Sequence, residues 1–331
     1  MSATPHLRSR PETVVWGFLA PDVPPVLRIA SGTTVDIDTV NALCVPPDAP
    51  EAFFERHRLE LTDAARDICD IVKTVPKGVG PHVLTGPIHI EGAEPGDVLE
   101  VRIHEVEPRA PHYGVNFTRP GAGSLPDLLP EPRTQVLPID MARRTARFRE
   151  GLDIPLRPFM GILAVAPTSR VSSIPPGRFG GNIDLKHLVP GARLYLPVQV
   201  PGALFFTGDG HGAQGNGEVN LTALETSMTT RLEFVLHPRR ALAWPMAETP
   251  SHYIVMGLNE DLDTAAADAV RRAVEVLQAF AGVDTGEAYA LASLVVDFEV
   301  TQLVDGVKGI HGCIPKSLLA PTAEAWWGPM P

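Results

Sequence analysis

Apolar and polar residues alternate with a period of two along much of this chain. The alternating runs are short and are separated by proline and glycine, the pattern of half-buried strands joined by turns. Val14 to Ala30 alternates loosely around Pro21, Pro24 and Pro25 and predicts short strands; Thr33 to Asp38 predicts another. Leu84 to Val106 predicts a hairpin. Ile88 and Ile90 precede a turn over Glu94, Pro95, Gly96 and Asp97, after which Leu99, Val101 and Ile103 alternate with Glu100, Arg102 and His104. Thr145 to Phe159 predicts a second hairpin. Arg193 to Val200 predicts a strand with Leu194, Leu196, Val198 and Val200 on one face, and Arg231 to Leu236 another with Leu232, Phe234 and Leu236.

Helical spacing occurs in three places. Ala65, Ile68, Ile71 and Val72 predict a helix between Thr62 and Lys73. Asp263 to Phe280 carries a stripe of Ala266, Val270, Ala273, Val274, Leu277 and Phe280, with Gly282 as a C-terminal cap. Glu287 to Val296 predicts a further helix. Pro108 to Pro138, rich in Pro, Gly, Arg and Asp, reads as a long surface excursion. The chain is therefore mostly β with a helical pair late in the sequence. We divide it into a β-rich portion over 1–160 with one helix and a long loop, a second β-rich portion over 161–240, and an α/β segment over 241–331.

Composition sharpens this. The 34 prolines in 331 residues are about twice the usual share and argue against an all-helical protein. With 28 Lys and Arg against 39 Asp and Glu, the net charge is −11, which speaks against nucleic acid and anionic membrane as partners. The arginines at 143, 144, 147 and 149 read as a solvated face. No apolar run is long enough to span a membrane and no secretory signal is read, so a cytoplasmic location is expected. Cys44, Cys69 and Cys313 are odd in number and far apart, and each reads as a structural thiol.

Candidate chemistry concentrates between Gly180 and Glu225. Asp209 and His211 are two apart and share a face on a strand. Glu218 and Glu225 follow a glycine-rich return that can bring Glu218 to the same pocket. An imidazole and carboxylates on a β-scaffold are the donor set of a divalent metal site; a tight polar loop is the competing reading. Asn182, Asp184 and His187 form a second cluster, for which turn chemistry competes with a shared pocket. His82, His89 and His104 lie near the predicted hairpin, and Lys316 follows Pro315 near the C-terminus; solvent exposure is the simpler reading of His104 and Lys316.

Several blocks resemble the acetamidase/formamidase family. They are Leu84-Thr85-Gly86-Pro87-Ile88; Glu91 to Leu99; Gly180-Gly181-Asn182-Ile183-Asp184; His187-Leu188; Leu194 to Val198; and the long run from Pro201 through Gly208-Asp209-Gly210-His211, Gln214-Gly215 and Gly217-Glu218 to Glu225. Leu294 to Gln302 is similar to a later block. The resemblance extends over about residues 13–317. Ile183 stands where Met is usual and Asn216 where Asp is common; both departures leave the candidate ligands in place. The resemblance implies a mainly β architecture with jelly-roll-like or barrel-like portions and an attached α/β segment. It also implies hydrolysis of a small amide to a carboxylate and ammonia, with a cyclic γ-lactam as another substrate.

No Gly-x-Ser-x-Gly elbow and no local cysteine-nucleophile signature occurs. A metal-activated water is therefore the expected nucleophile. Asp209, His211 and Glu218 are the expected ligands of a divalent ion, with Asp184 as a fourth. Zinc is expected rather than calcium, because imidazole is a poor calcium ligand. Glu225 is the expected proton shuttle, Asn182 an oxyanion donor, and His187 either orients a ligand carboxylate or caps the turn before Pro190. Two other readings stand beside this one: a cupin-like metal-dependent oxygenase, and a non-catalytic jelly-roll binding module. A homo-oligomer, most simply a dimer, is expected from the Tyr113 to Leu129 arm and the apolar tail from Trp326 to Met330.

Overall fold

In a computed structural model of the chain, residues 4–240 and 242–318 are described. The tail from Trp326 to Met330 lies outside the described residues. Two large sheets dominate. One has nine strands in the order His6–Leu7, Thr33–Asp38, Met228–His237, Val98–Pro108, Arg193–Pro197, Met246–Glu248, His252–Asn259, Lys308–Pro315 and Asp297–Gln302. The other has six, including Gly180–Asn182, Phe159–Val165, Phe205–His211, Val83–Ile90 and Val14–Trp16 in that order, with Leu27–Ile29 parallel to Val83–Ile90.

The sheets bury their apolar faces against each other. Val35, Leu99, Val101, Leu194, Leu232 and Phe234 of the first meet Ile88, Ile90, Leu163, Val165 and Phe205 of the second in one core. At about 25 cal/mol per Å² of apolar surface removed from water, this interior is the main stabilising term. The mainly β architecture expected from the alternation is the one observed.

The stretch from Leu84 to Val106 differs from expectation. Val83–Ile90 and Val98–Pro108 are both strands, but they do not pair. Val83–Ile90 pairs with Phe205–His211 and Val14–Trp16, while Val98–Pro108 pairs with Met228–His237 and Arg193–Pro197. The intervening turn carries the chain from one sheet to the other. Period-two alternation reports one buried face, and that face is satisfied equally by a neighbour in the same sheet or by the sheet opposite. The Thr145 hairpin does form, as Thr145–Arg149 against Leu152–Pro155. The expected excursion over 108–138 carries Tyr113–Thr118 and most of its partner strand Arg133–Asp140, and residues 109–112 and 119–132 run free of strands. Phe159–Val165 crosses the boundary at 160, and the nine-stranded sheet takes strands from all three portions.

Helix Asp63–Thr74 lies where its spacing placed it. A shorter helix, Pro50–Arg56, packs beside it; Phe53 and Phe54 are its buried residues. Leu262–Ala281 is capped by Asp261, whose carboxylate accepts from the Thr264 N–H, and ends at Gly282. Its buried positions are Ala265, Ala269, Ala273, Val276 and Leu277, a face rotated from the expected stripe. The cause is close approach to Gly257, where an added Cβ would stand 1.9 Å from the Ala265 carbonyl oxygen. Small side chains let the helix reach the sheet, so the alanines take the interior. Thr285–Val295 completes the pair, with Asp284 and Glu287 forming a capping box.

Glu100 sits within the nine-stranded sheet, 2% exposed, between Arg102, Arg193 and His237. Burial raises its carboxyl pKa, but the hydrogen bonds from His237 and Arg102 outweigh burial and hold it below the ordinary value. A carboxylate with a depressed folded pKa stabilises above the unfolded value, and that stability drains as pH falls through the folded one. Glu100→Gln should therefore cost about 2 kcal/mol near neutral pH, with partly exposed partners softening the loss. The gap from wild type in urea midpoint should close as pH drops below the carboxylate range; a gap that is constant with pH would contradict this assignment.

Candidate active site

The six-stranded sheet brings three neighbouring strands to one point. Phe205–His211 carries Asp209 and His211. Gly180–Asn182 ends at Asn182, with Asp184 just beyond. Phe159–Val165 runs between them and carries Gly161. A Cβ at Gly161 would lie 2.6 Å from Asp184 Oδ1, 2.7 Å from Asp209 Oδ2 and 2.9 Å from His211 Cε1. Only glycine leaves room for the acids to meet across the middle strand.

After His211 the chain leaves the sheet and returns. The Gly212 N–H donates to the Leu224 carbonyl at 2.8 Å, and the Thr226 N–H to the Gly210 carbonyl at 2.7 Å. This antiparallel return places Glu225 opposite His211. Glu218 lies within the excursion, at a positive φ of 43°. Asp209, at φ 57°, also departs from strand conformation.

His211 is the hub, fully buried. Its Nε2 stands 3.3 Å from both Asp209 Oδ2 and Glu225 Oε1, and its Nδ1 3.8 Å from Asp184 Oδ1. Two sets of mutually close donor atoms share this imidazole, Asp184–His211–Glu218 and Asp209–His211–Glu225, each within 4.8 Å. The expected trio of Asp209, His211 and Glu218 is thus divided between two sets, and Glu225 joins Asp209. Glu225 is held from outside by Asn41 Nδ2, which donates to Oε2 at 3.1 Å, and by the Ala223 N–H, which donates to Oε1 at 2.9 Å. Gln214 Nε2 donates to the Asp184 carbonyl at 2.9 Å and ties the excursion to the neighbouring strand end. The Phe159 ring meets the His211 ring edge-on at 5.1 Å and walls it from water.

The electrostatics follow from crowding acids into a dry volume. Burial pushes Glu225 up to about 7 and Asp184 up to about 6, and raises Glu218 and Asp305 well above the carboxylate range. Burial also penalises the charged form of Asp209, yet His211 and His82 overcome it and hold that carboxylate below its ordinary value. For His211, burial opposes the charge, but Glu225 and Asp209 outweigh it and raise the imidazole. Both oxygens of Asp184, both nitrogens of His211 and Asn182 Oδ1 are buried without a hydrogen-bond partner. Buried polar atoms without partners are costly. One imidazole amid several carboxylates is the donor chemistry of a divalent transition ion, and these residues fit one.

A cavity of about 330 Å³ opens onto this cluster, lined by Asn41, His82, Asn182, Asp209, Glu218, Glu225 and Asp305, with Lys77 and Arg119 at its rim. Of the residues singled out from sequence, Asp184, Asp209, His211, Glu218, Glu225 and Asn182 converge here, and so does His82, whose Nε2 is 3.9 Å from Asp209 Oδ2. The others do not. His187 turns away and packs its ring on His311 of Lys308–Pro315 at 5.2 Å, because the turn after Asp184 carries it to the nine-stranded sheet. It joins neither donor set among the described residues. Lys316 is paired with Glu248 at 2.5 Å. His104 pairs with Glu233 on the surface, and His89 lies against Gly202. Asp305 was missed. It sits in a link before Gly306, where Asp-Gly reads as turn chemistry, and only the fold carries it to the site.

A model of the acetamidase/formamidase family matches residues 12–174 and 170–319. The formamidase of Methylophilus methylotrophus is 29% identical over 210 residues, covering 47% of this chain and 50% of that protein. The chain spans about half the length of the curated relatives it matches. A solved acetamidase from Bacillus halodurans is 28% identical with a TM-score of 0.79, over 95% of this chain and 98% of that one. A γ-lactamase from Delftia acidovorans shares the fold at 20% identity and a TM-score of 0.59, over 96% of this chain and 92% of its own.

The crowding of acids has a measurable consequence. A carboxyl whose pKa is raised by folding destabilises the fold above its unfolded value. Asp305→Asn, nearly the same shape without the charge, should stabilise chelator-treated protein by about 1 kcal/mol. The gain should grow as pH rises from the carboxylate range toward neutrality. A lower melting temperature for the variant at neutral pH would contradict this reading.

Proposed function

This chain belongs to the acetamidase/formamidase family, and on that premise we propose that it hydrolyses the C–N bond of a small amide. Amide and water give a carboxylate and ammonia, or an amino acid when the amide is a γ-lactam. The observation that carries the reading is the fully buried imidazole of His211 ringed by carboxylates, of which Asp209, Glu218 and Glu225 line a cavity of about 330 Å³. That volume suits a small substrate.

His211, Asp184 and Glu218 would hold a divalent ion, zinc by its donor set, with Asp209 on the other edge of the same imidazole. The bound ion supplies Lewis acidity, lowering the pKa of water and polarising the amide oxygen. Glu225 accepts a proton from water at Oε1 or Oε2 and returns it to the leaving nitrogen; Asn41 and the Ala223 N–H keep its carboxyl aimed. Asn182 lines the cavity and can donate to the developing oxyanion. No carboxylate other than Glu225 has both a cavity-facing position and a pair of donors fixing both of its oxygens, among the described residues.

The roles separate by substitution. His211→Ala should lose both bound metal and ammonia release. Glu225→Gln should keep the metal, measured by elemental analysis, and lose about 10²–10⁴-fold in turnover. Formamide, acetamide, propionamide and a bicyclic γ-lactam, assayed separately for ammonia and ring opening, define the substrate class. Full-rate hydrolysis by verified metal-free enzyme would overturn the metal-water mechanism. Oxygen uptake without ammonia release would point instead to an oxygenase.

We also propose a homo-oligomer. Tyr113 is buried within its own protomer, so the whole arm is not free. Leu125 and Leu128, 67% and 68% exposed in the link that follows, are the apolar groups left to cover. Light scattering should show a species larger than a monomer at micromolar concentration, and Leu125→Asp with Leu128→Asp should dissociate it. Among the described residues no helix is long and apolar enough to cross a membrane.

A further inference from the structure

A second group of ligand-type side chains lies outside the amide-binding cavity. His311 and Cys313 are two apart on Lys308–Pro315 and so share a face. Cys313 packs into the core between the large sheets, and Met256 and Ile254, opposite His311 and Cys313 in the adjacent strand, pack into the same core. His187 reaches this face from the turn after Asp184. The three donor atoms lie within 4.8 Å of one another. His311 is fully buried, and its Nδ1 is hydrogen-bonded to Thr301 Oγ1 at 2.8 Å. A ring nitrogen held this way fixes the orientation and leaves the other nitrogen free for a ligand. That nitrogen, Nε2, is buried and has no hydrogen-bond partner, and neither does Nε2 of His187. Two imidazoles with orphaned nitrogens beside one buried thiol are unexpected where the surrounding side chains pack for apolar contact.

We propose that His187, His311 and Cys313 form a second metal site, of thiolate and imidazole type, that takes zinc. Two imidazoles and a thiolate are zinc ligands, and a soft thiolate excludes calcium and magnesium. Glu299 stands beside the open side, its Oε2 3.9 Å from His311 Nε2, and either it or water completes the coordination. On metal entry the Cys313 S–H bond breaks, the sulfur binds the ion and the proton leaves to solvent. His187 is half-buried and provides the way in.

The site is wired to the excursion that carries Glu218. Glu299 accepts a hydrogen bond from Asn216, and the carbonyl of Thr301 accepts from the Gly217 N–H at 2.9 Å. An ion here pins the Asp297–Gln302 strand, and through it residues 216 and 217, beside the amide site. Its role is positional; its own donors do not line the amide cavity among the described residues.

Cobalt(II) distinguishes the two sites. Asp184, His211, Glu218, Asp209 and Glu225 offer no sulfur, so a thiolate-to-cobalt charge-transfer band in the near ultraviolet reports Cys313 alone, whatever happens at the amide site. The full-length protein loaded with cobalt should show that band. Cys313→Ser should abolish it, and zinc-loaded Cys313→Ser should hold one zinc fewer than wild type. Because Cys313 is in the core, His187→Ala in the half-buried turn is the second variant; it should weaken or abolish the band while circular dichroism stays that of wild type. Absence of the band in cobalt-loaded wild type, its persistence in Cys313→Ser, or equal zinc content in wild type and both variants would overturn the proposal.

Discussion

Five carboxyl groups, from Asp184, Asp209, Glu218, Glu225 and Asp305, all buried, are packed around the imidazole of His211 beside a cavity. Such an arrangement is unfavourable by itself, because each buried charge loses hydration and like charges repel. Its persistence requires compensation: protons retained by some acids, the positive charge shared on His211, or a bound cation. The carboxyls raised toward neutrality and the depressed Asp209 express that division within one cluster. The rest of the molecule can be read as the frame that holds this costly group together.

The frame works through backbone proximity. Three adjacent strands converge on the cluster, and the middle one is stripped to glycine at 161 so that acids from both neighbours meet above it. The return from Leu224 to Thr226 places Glu225 opposite His211 by strand register, which fixes position more firmly than a loop does. Positive φ at Asp209 and Glu218 indicates local strain, the kind that a stable scaffold tolerates at functional sites. The buried interior between the large sheets offsets that strain.

The edge of the nine-stranded sheet bears on the same centre from the other side. Asp297–Gln302 contacts the excursion through Glu299 and Thr301, while the link that follows supplies Asp305 to the cavity. Residues near the C-terminus thus complete a site whose other members lie between 180 and 225. The nine-stranded sheet and the cavity each draw strands or side chains from all three portions of the chain.

Local pattern determined the fold class and most strand and helix positions. Thr33–Asp38, Asp63–Thr74 and the Thr145–Arg149 hairpin form where period and turn residues placed them, because one-sided burial, capping and turn chemistry act over a few residues. The candidate site was legible for a related reason. Asp209, His211, Glu218 and Glu225 lie within seventeen consecutive residues, and the glycines between them permit a tight return. Tertiary structure decided what depends on contacts between segments far apart in sequence. It separated Val83–Ile90 from Val98–Pro108, since alternation cannot tell a sheet neighbour from an opposing sheet. It turned the alanine face of Leu262–Ala281 inward, since Gly257 allows close approach only to small side chains. It sent His187 to His311 and brought Asp305 to the acids, since a turn's direction and a link's destination are set by the packing of the sheets, which no short window of sequence contains.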